Sequence, residues 1–152
     1  MTKVIIVYET RYGNTKKVAE KISEGLRTRT SIQVDAKNLK DIDEKDVPKY
    51  DVILVGSPNH MGGPTRGIKK FIDKLSKLNL KGKQFAAFDT CSPKDLEKAV
   101  KKMEKSLAEK IPGIKIIPPS LSVIVLGMKG PISEEELTKS VEYGKKLATK
   151  LS

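Results

Sequence analysis

Seven residues, Glu9-Thr10-Arg11-Tyr12-Gly13-Asn14-Thr15, stand between an apolar run ending at Tyr8 and a helical period beginning near Val18. The first amides of such a helix have no carbonyl four residues back, and they point at the loop. Together with the hydroxyls of Thr10 and Thr15, and with Gly13 allowing close approach to the main chain, they form an anion site. A dinucleotide would favour the G-x-G-x-x-G pattern, which is absent, so a monophosphate fits better. The same residues also read as a polar turn ahead of an N-cap at Asn14.

Two more loops carry candidate residues. Ser57-Pro58-Asn59-His60-Met61-Gly62-Gly63-Pro64 is long for a link between a strand and a helix. Its paired glycines permit unusual backbone conformations and let a flat ligand lie against the chain. Gly63 equally suits a cap for a helix that Pro64 begins. His60 faces either solvent or a ligand, and Met61 either packs on a ligand ring or fills a gap. In Asp89-Thr90-Cys91-Ser92-Pro93, Ser92 reads as a helix start rather than a nucleophile, because His60 is the only histidine and no triad can be assembled. Cys91 is either a thiol activated by a nearby helix N-terminus or an inert filler.

The elements that must position these loops alternate. Lys3 to Tyr8, Ile32 to Ala36, Asp51 to Gly56, Gln84 to Phe88 and Leu121 to Leu126 are short apolar runs of the kind buried on both faces of a parallel sheet. Between them come helical faces: Val18, Ala19, Ile22 and Leu26; Ile68, Phe71, Ile72 and Leu75; Leu96, Ala99, Val100, Met103 and Leu107; Leu137, Val141, Gly144, Ala148 and Leu151. Ser92 and Ser133 are the expected hydroxyl caps of the last two helices. Asn38 to Tyr50 is the least regular stretch and is expected to be a minor crossover. The expectation is one α/β domain over residues 1–152, a doubly wound five-stranded parallel sheet between two helical layers, with its ligand site just after Tyr8, Gly56 and Phe88.

Composition closes off other classes. One cysteine and one histidine cannot build an internal disulfide or a Cys/His zinc site, and no apolar run approaches the ~20 residues of a membrane span. A receiver domain would need an aspartate where Ser57 stands, and a cysteine phosphatase would need its nucleophile in the first loop, which has none. A formal charge of +11 suits an anionic partner. Nucleic acid is not the expected one, because the lysines are interleaved with glutamate over every helix. A reducing, cytoplasmic setting is expected.

Ile6-Val7-Tyr8, Thr10, Gly13, Thr15, Ala19 and Ile22 resemble the signature of the flavodoxin family. Gly56-Ser57-Pro58 with Gly62-Gly63-Pro64 resembles the second flavin loop of that family, and Gly130-Pro131 is similar to its late loop. The resemblance implies the strand order 2-1-3-4-5 with FMN at the switch point, of which flavodoxin is itself the type example. It implies that Thr10 to Thr15, including Arg11, Tyr12 and Asn14, bind the FMN phosphate. Ser57, Pro58, Asn59, His60, Met61, Gly62 and Gly63, with Asp89, Thr90, Cys91 and Ser92, would flank the ribityl chain and the ring. The implied function is one-electron transfer between redox partner proteins, here with acidic surfaces; the alternative is an FMN-dependent reductase of quinones or other small acceptors. Two features depart from the family: no aromatic residue in the second or third loop to stack on a flavin, and a basic rather than acidic charge, with Arg11 inside the phosphate loop.

Overall fold

The computed structural model describes residues 1–151. Strands β1 (Thr2–Tyr8), β2 (Ile32–Asn38), β3 (Val52–Pro58) and β4 (Gln84–Cys91) run parallel in the order β2-β1-β3-β4. The fifth position is shared by β5 (Lys115–Ile116) and β6 (Leu121–Ile124), both parallel to β4. This is the expected order 2-1-3-4-5, with its last strand in two pieces. Pro118 and Pro119 lie in the break, and a proline has no N–H to give to a ladder.

Side chains alternate across the sheet and divide the core in two. Val4, Ile6, Val52, Leu54 and Phe88 face α1 (Asn14–Leu26) and α4 (Glu134–Leu151), while Ile5, Val7, Ile53, Val55 and Phe85 face α2 (Arg66–Leu75) and α3 (Lys98–Lys110). Each fully buried aliphatic side chain contributes about 1.5–3 kcal/mol, and a one-residue slip would exchange the two faces, so register is tightly set. On one side α1 and α4 pack backbone to backbone: a Cβ at Gly144 would stand 2.2 Å from the Ile22 carbonyl oxygen. On the other, Val47 is the sole buried residue of the irregular crossover, which folds as two 3-10 turns, Leu39–Asp41 and Glu44–Lys49.

Several expected boundaries move. β3 runs on to Pro58 and β4 to Cys91, with Ser57 opposite Asp89 and Pro58 opposite Thr90, so these residues belong to the ladder and not to the loops. The third helix does not start at Ser92. Pro93–Asp95 is a separate 3-10 turn and α3 begins at Lys98, after Glu97 at φ 64; Leu96, assigned to the helix face, is 44% exposed. Nor does Pro64 begin α2 with Gly63 as its cap. Thr65 caps that helix, its Oγ1 accepting from Ile68 N at 3.3 Å. Ser133 does cap α4 as expected, accepting from Glu136 N at 3.2 Å.

Candidate functional site

The N-terminus of α1 opens toward the carboxyl ends of the strands. Gly13 is its cap residue at φ +92, a left-handed conformation that costs other residues about 1–2 kcal/mol. Asn14 is therefore not the N-cap; it is the first helical residue. Gly13 N donates to Thr10 Oγ1 at 2.9 Å, and the first intrahelical bond is Lys17 N to Gly13 O at 3.1 Å. The amides of residues 14–16 thus remain available at the positive end of the helix. Thr15 is buried, and its hydroxyl lies 2.9 Å from that of Thr90 on β4. A hydroxyl pair uses one proton between two oxygens and leaves the other free.

After β3 the chain makes a tight reversal. His60 N donates to Gly63 O at 2.7 Å and Gly63 N to His60 O at 3.1 Å, around Met61 at φ 51 and Gly62 at φ 81. Two successive positive φ values give the turn its type I′ hand, and they place Met61, 91% exposed, at the tip. Ser57 is occupied elsewhere: its buried hydroxyl accepts from Thr65 N at 3.0 Å and donates to Pro58 O at 2.9 Å, tying the loop to the start of α2. Asn59 donates through Nδ2 to Asp95 Oδ2 at 3.2 Å, while its Oδ1 is buried with no partner.

Asp89 does not face the same space. It is fully buried, accepting from Ser122 Oγ at 2.5 Å and from Val100 N at 3.1 Å, so it caps the first turn of α3, where Glu97 provides no side-chain cap. Burial pushes its carboxyl above the usual range, against the hydrogen bonds from Ser122 and Val100. Cys91 is buried with Sγ 3.4 Å from Ser122 Oγ, and burial pushes its thiol up to about 11, the opposite of an activated cysteine. Ser92 Oγ donates to Asp95 Oδ2 at 3.2 Å instead of accepting a helix amide.

These loops surround a cleft of about 740 Å³. Thr10, Arg11, Tyr12, Asn14 and Thr15 line one side, and Pro58, Asn59, His60, Met61, Thr90, Cys91 and Ser92 line the others. Gly13, Ser57, Gly62, Gly63 and Asp89 do not line it. Glu9 from the first loop lines it too, and so do residues the sequence did not point to: Thr65, Arg66, Asp95 and the segment Val125 to Met128, with Leu126 68% and Met128 83% exposed. Arg66 and Thr65 follow from the start of α2 lying later than expected. For Val125 to Met128 the sole signal was the neighbouring Gly130-Pro131. A second groove of about 590 Å³, beside Lys17, Lys21 and Arg27, lies along α1 and away from the strand ends.

Known proteins place this arrangement. Residues 5–125 match the flavodoxin domain. The chain belongs to that family. It is 36% identical over 90 residues to a flavodoxin of Clostridium saccharobutylicum, covering 59% of this chain and 56% of that protein. A weaker likeness, 28% over 102 residues, joins it to an NAD(P)H dehydrogenase (quinone) of Cupriavidus metallidurans, covering 54% of this chain and 51% of that one. The chain therefore spans about half the length of the curated relatives it matches. Among solved structures, a flavodoxin from the domain Archaea superposes with a TM-score of 0.84 at 25% identity, covering 99% of both chains. As in other flavodoxin domains, the cleft lies at the carboxyl ends of β1, β3 and β4, where the strand order reverses.

Proposed function

We propose that this flavodoxin domain holds FMN in the cleft and carries electrons one at a time between protein partners. The observation that carries the reading is the α1 N-terminus, where unpaired amides and two threonines surround Gly13. A Cβ at Gly13 would meet nothing within 4 Å, which leaves room for a phosphate beside the backbone. The unpartnered Asn59 Oδ1 and a volume within the ~300–1,000 Å³ of cofactor sites support a ligand of this size. Bound FMN would supply the one-electron redox chemistry.

In this reading residues 10–15 bind the phosphate. Asn59, His60 and Met61 with Thr90, Cys91 and Ser92 flank the rest of the cofactor, and Ser57 and Asp89 act from behind by fixing Thr65 and α3. Partners with acidic surfaces suit the charge of +11. The chain works as a single domain, and a cytoplasmic, reducing setting suits its free buried Cys91. No helix among the described residues is long and apolar enough to cross a membrane.

A second reading, an FMN-dependent reductase of quinones or similar acceptors, is favoured by the likeness to the quinone dehydrogenase and by the exposure of Met61 and Met128 at the cleft mouth. Stepwise reduction of the FMN-loaded protein with dithionite, beside a steady-state assay with NADPH and a quinone, separates the two. Two resolved one-electron steps without turnover support the carrier. A single two-electron step with turnover would replace it by the reductase.

A further inference from the structure

The segment from Leu126 to Pro131 closes on itself, Leu126 N donating to Pro131 O at 3.0 Å and Gly130 N to Gly127 O at 3.1 Å. From this closed loop two residues reach the phosphate loop. Lys129 Nζ lies 5.8 Å from the centre of the Tyr12 ring, and Arg11 Cζ lies 5.6 Å from it, so the ring holds one cation from its own loop and one from the late loop. Among the described residues neither cation is paired with a carboxylate. Gly130, at φ +102, lies directly against Asn14: a Cβ there would stand 2.7 Å from Asn14 Oδ1 and 3.1 Å from Nδ2.

Asn14 is the first residue of α1, and its amide is the first of the unpaired donors in the anion site. Nothing within the phosphate loop hydrogen-bonds the Asn14 side chain. It lies in the space left by the missing side chain of Gly130, while Lys129 approaches the Tyr12 ring from the late loop. The late loop and the phosphate loop therefore form one wall of the cleft, each keeping the other in register.

We propose that the late loop is a clamp on the phosphate loop, with Gly130 and Lys129 as positioning residues that set how strongly the site prefers a phosphorylated flavin to an unphosphorylated one. The proposal rests on the flavin reading above. A side chain at residue 130 would crowd the Asn14 amide and strain the late loop at its positive φ, loosening the contact between that loop and the first turn of α1, which in this reading would hold the phosphate and not the ring. The loss should fall on FMN and spare riboflavin.

The test is equilibrium binding of FMN and of riboflavin, followed by flavin fluorescence, to the parent chain and to Gly130→Ala, Asn14→Ala, their double variant and Tyr12→Leu. Gly130→Ala is expected to weaken FMN about tenfold, the scale of one charge-assisted hydrogen bond, with riboflavin changed less than about twofold. Because both act through one contact, the double variant should be little worse than the poorer single one. Tyr12→Leu, which removes the ring but no charge, should weaken FMN selectively as well, and it decides the matter if Gly130→Ala does not fold. Equal losses for both ligands, or losses that multiply in the double variant, would overturn the clamp while leaving the flavin reading intact. A parent chain that binds neither flavin would overturn both.

Discussion

The hydroxyls of Thr15 and Thr90 lie 2.9 Å apart, joining the first turn of α1 to the end of β4 beneath the cleft. Both residues are almost wholly buried, so each hydroxyl depends mainly on the other for a protein partner. Thr15→Val leaves the Thr90 hydroxyl without a partner and should cost about 1–3 kcal/mol in urea unfolding, whereas the double change Thr15→Val with Thr90→Val should recover much of that. FMN affinity behaves differently: it should fall about ten- to a hundredfold in both variants, with riboflavin little affected. Recovery of FMN binding in the double variant would remove Thr15 from the phosphate site.

Asp89 gives a pH dependence of unusual sign. Its carboxyl is raised, chiefly by burial, so the folded protein holds that proton more tightly than the unfolded chain. The stability it contributes is complete below the ordinary value of 3.8 and is lost as pH rises through the raised value. Urea unfolding of the parent and of Asp89→Asn across this range is the measurement. The stability difference should move in favour of asparagine as pH rises; a difference independent of pH would mean that Asp89 titrates normally.

Cys91 should be nearly inert. With its thiol at about 11 in place of 9.0, the thiolate fraction at pH 8 falls about a hundredfold, before any loss from poor access. Labelling with a disulfide reagent should be at least that much slower in the native protein than in urea. Comparable rates would show that the end of β4 opens readily.

The surface charge predicts how partners meet. With +11 on a small domain, electron transfer with an acidic one-electron carrier should slow as salt rises and the Debye length shrinks to about 8 Å. Stopped-flow rates at low and high ionic strength measure this. A flat or rising rate would exclude an acidic docking partner.

Much of this architecture was legible because apolar periodicity reports burial. The strands around Val4 to Val7, Val52 to Val55 and Phe85 to Phe88 are apolar on both faces, and the core faces of α1 and α2 read correctly; on α4, Leu137, Gly144 and Ala148 are buried as expected, but Leu147 joins the core and Val141 is only half-buried. Periodicity fails where polar residues are buried. β4 continues through Asp89 and Thr90 because α3 and Thr15 satisfy them, and no hydropathy pattern encodes such long-range partners. Cap residues fail for a related reason: Asn14, Ser92 and Gly63 were chemically suitable, but Gly13 and Thr65 occupy the cap positions because the preceding loops enter at different residues. The late loop was the least legible, since the contacts of Gly130 and Lys129 with the phosphate loop exist only once the sheet has brought them together.

The central claim is that this cleft binds FMN. Its most direct test is the visible spectrum of the purified protein after addition of FMN and passage through a gel-filtration column. The account predicts flavin absorption bands that travel with the protein, and a parallel run with riboflavin that retains markedly less colour. A colourless protein peak, with all the FMN in the late-eluting small-molecule fraction, would contradict it.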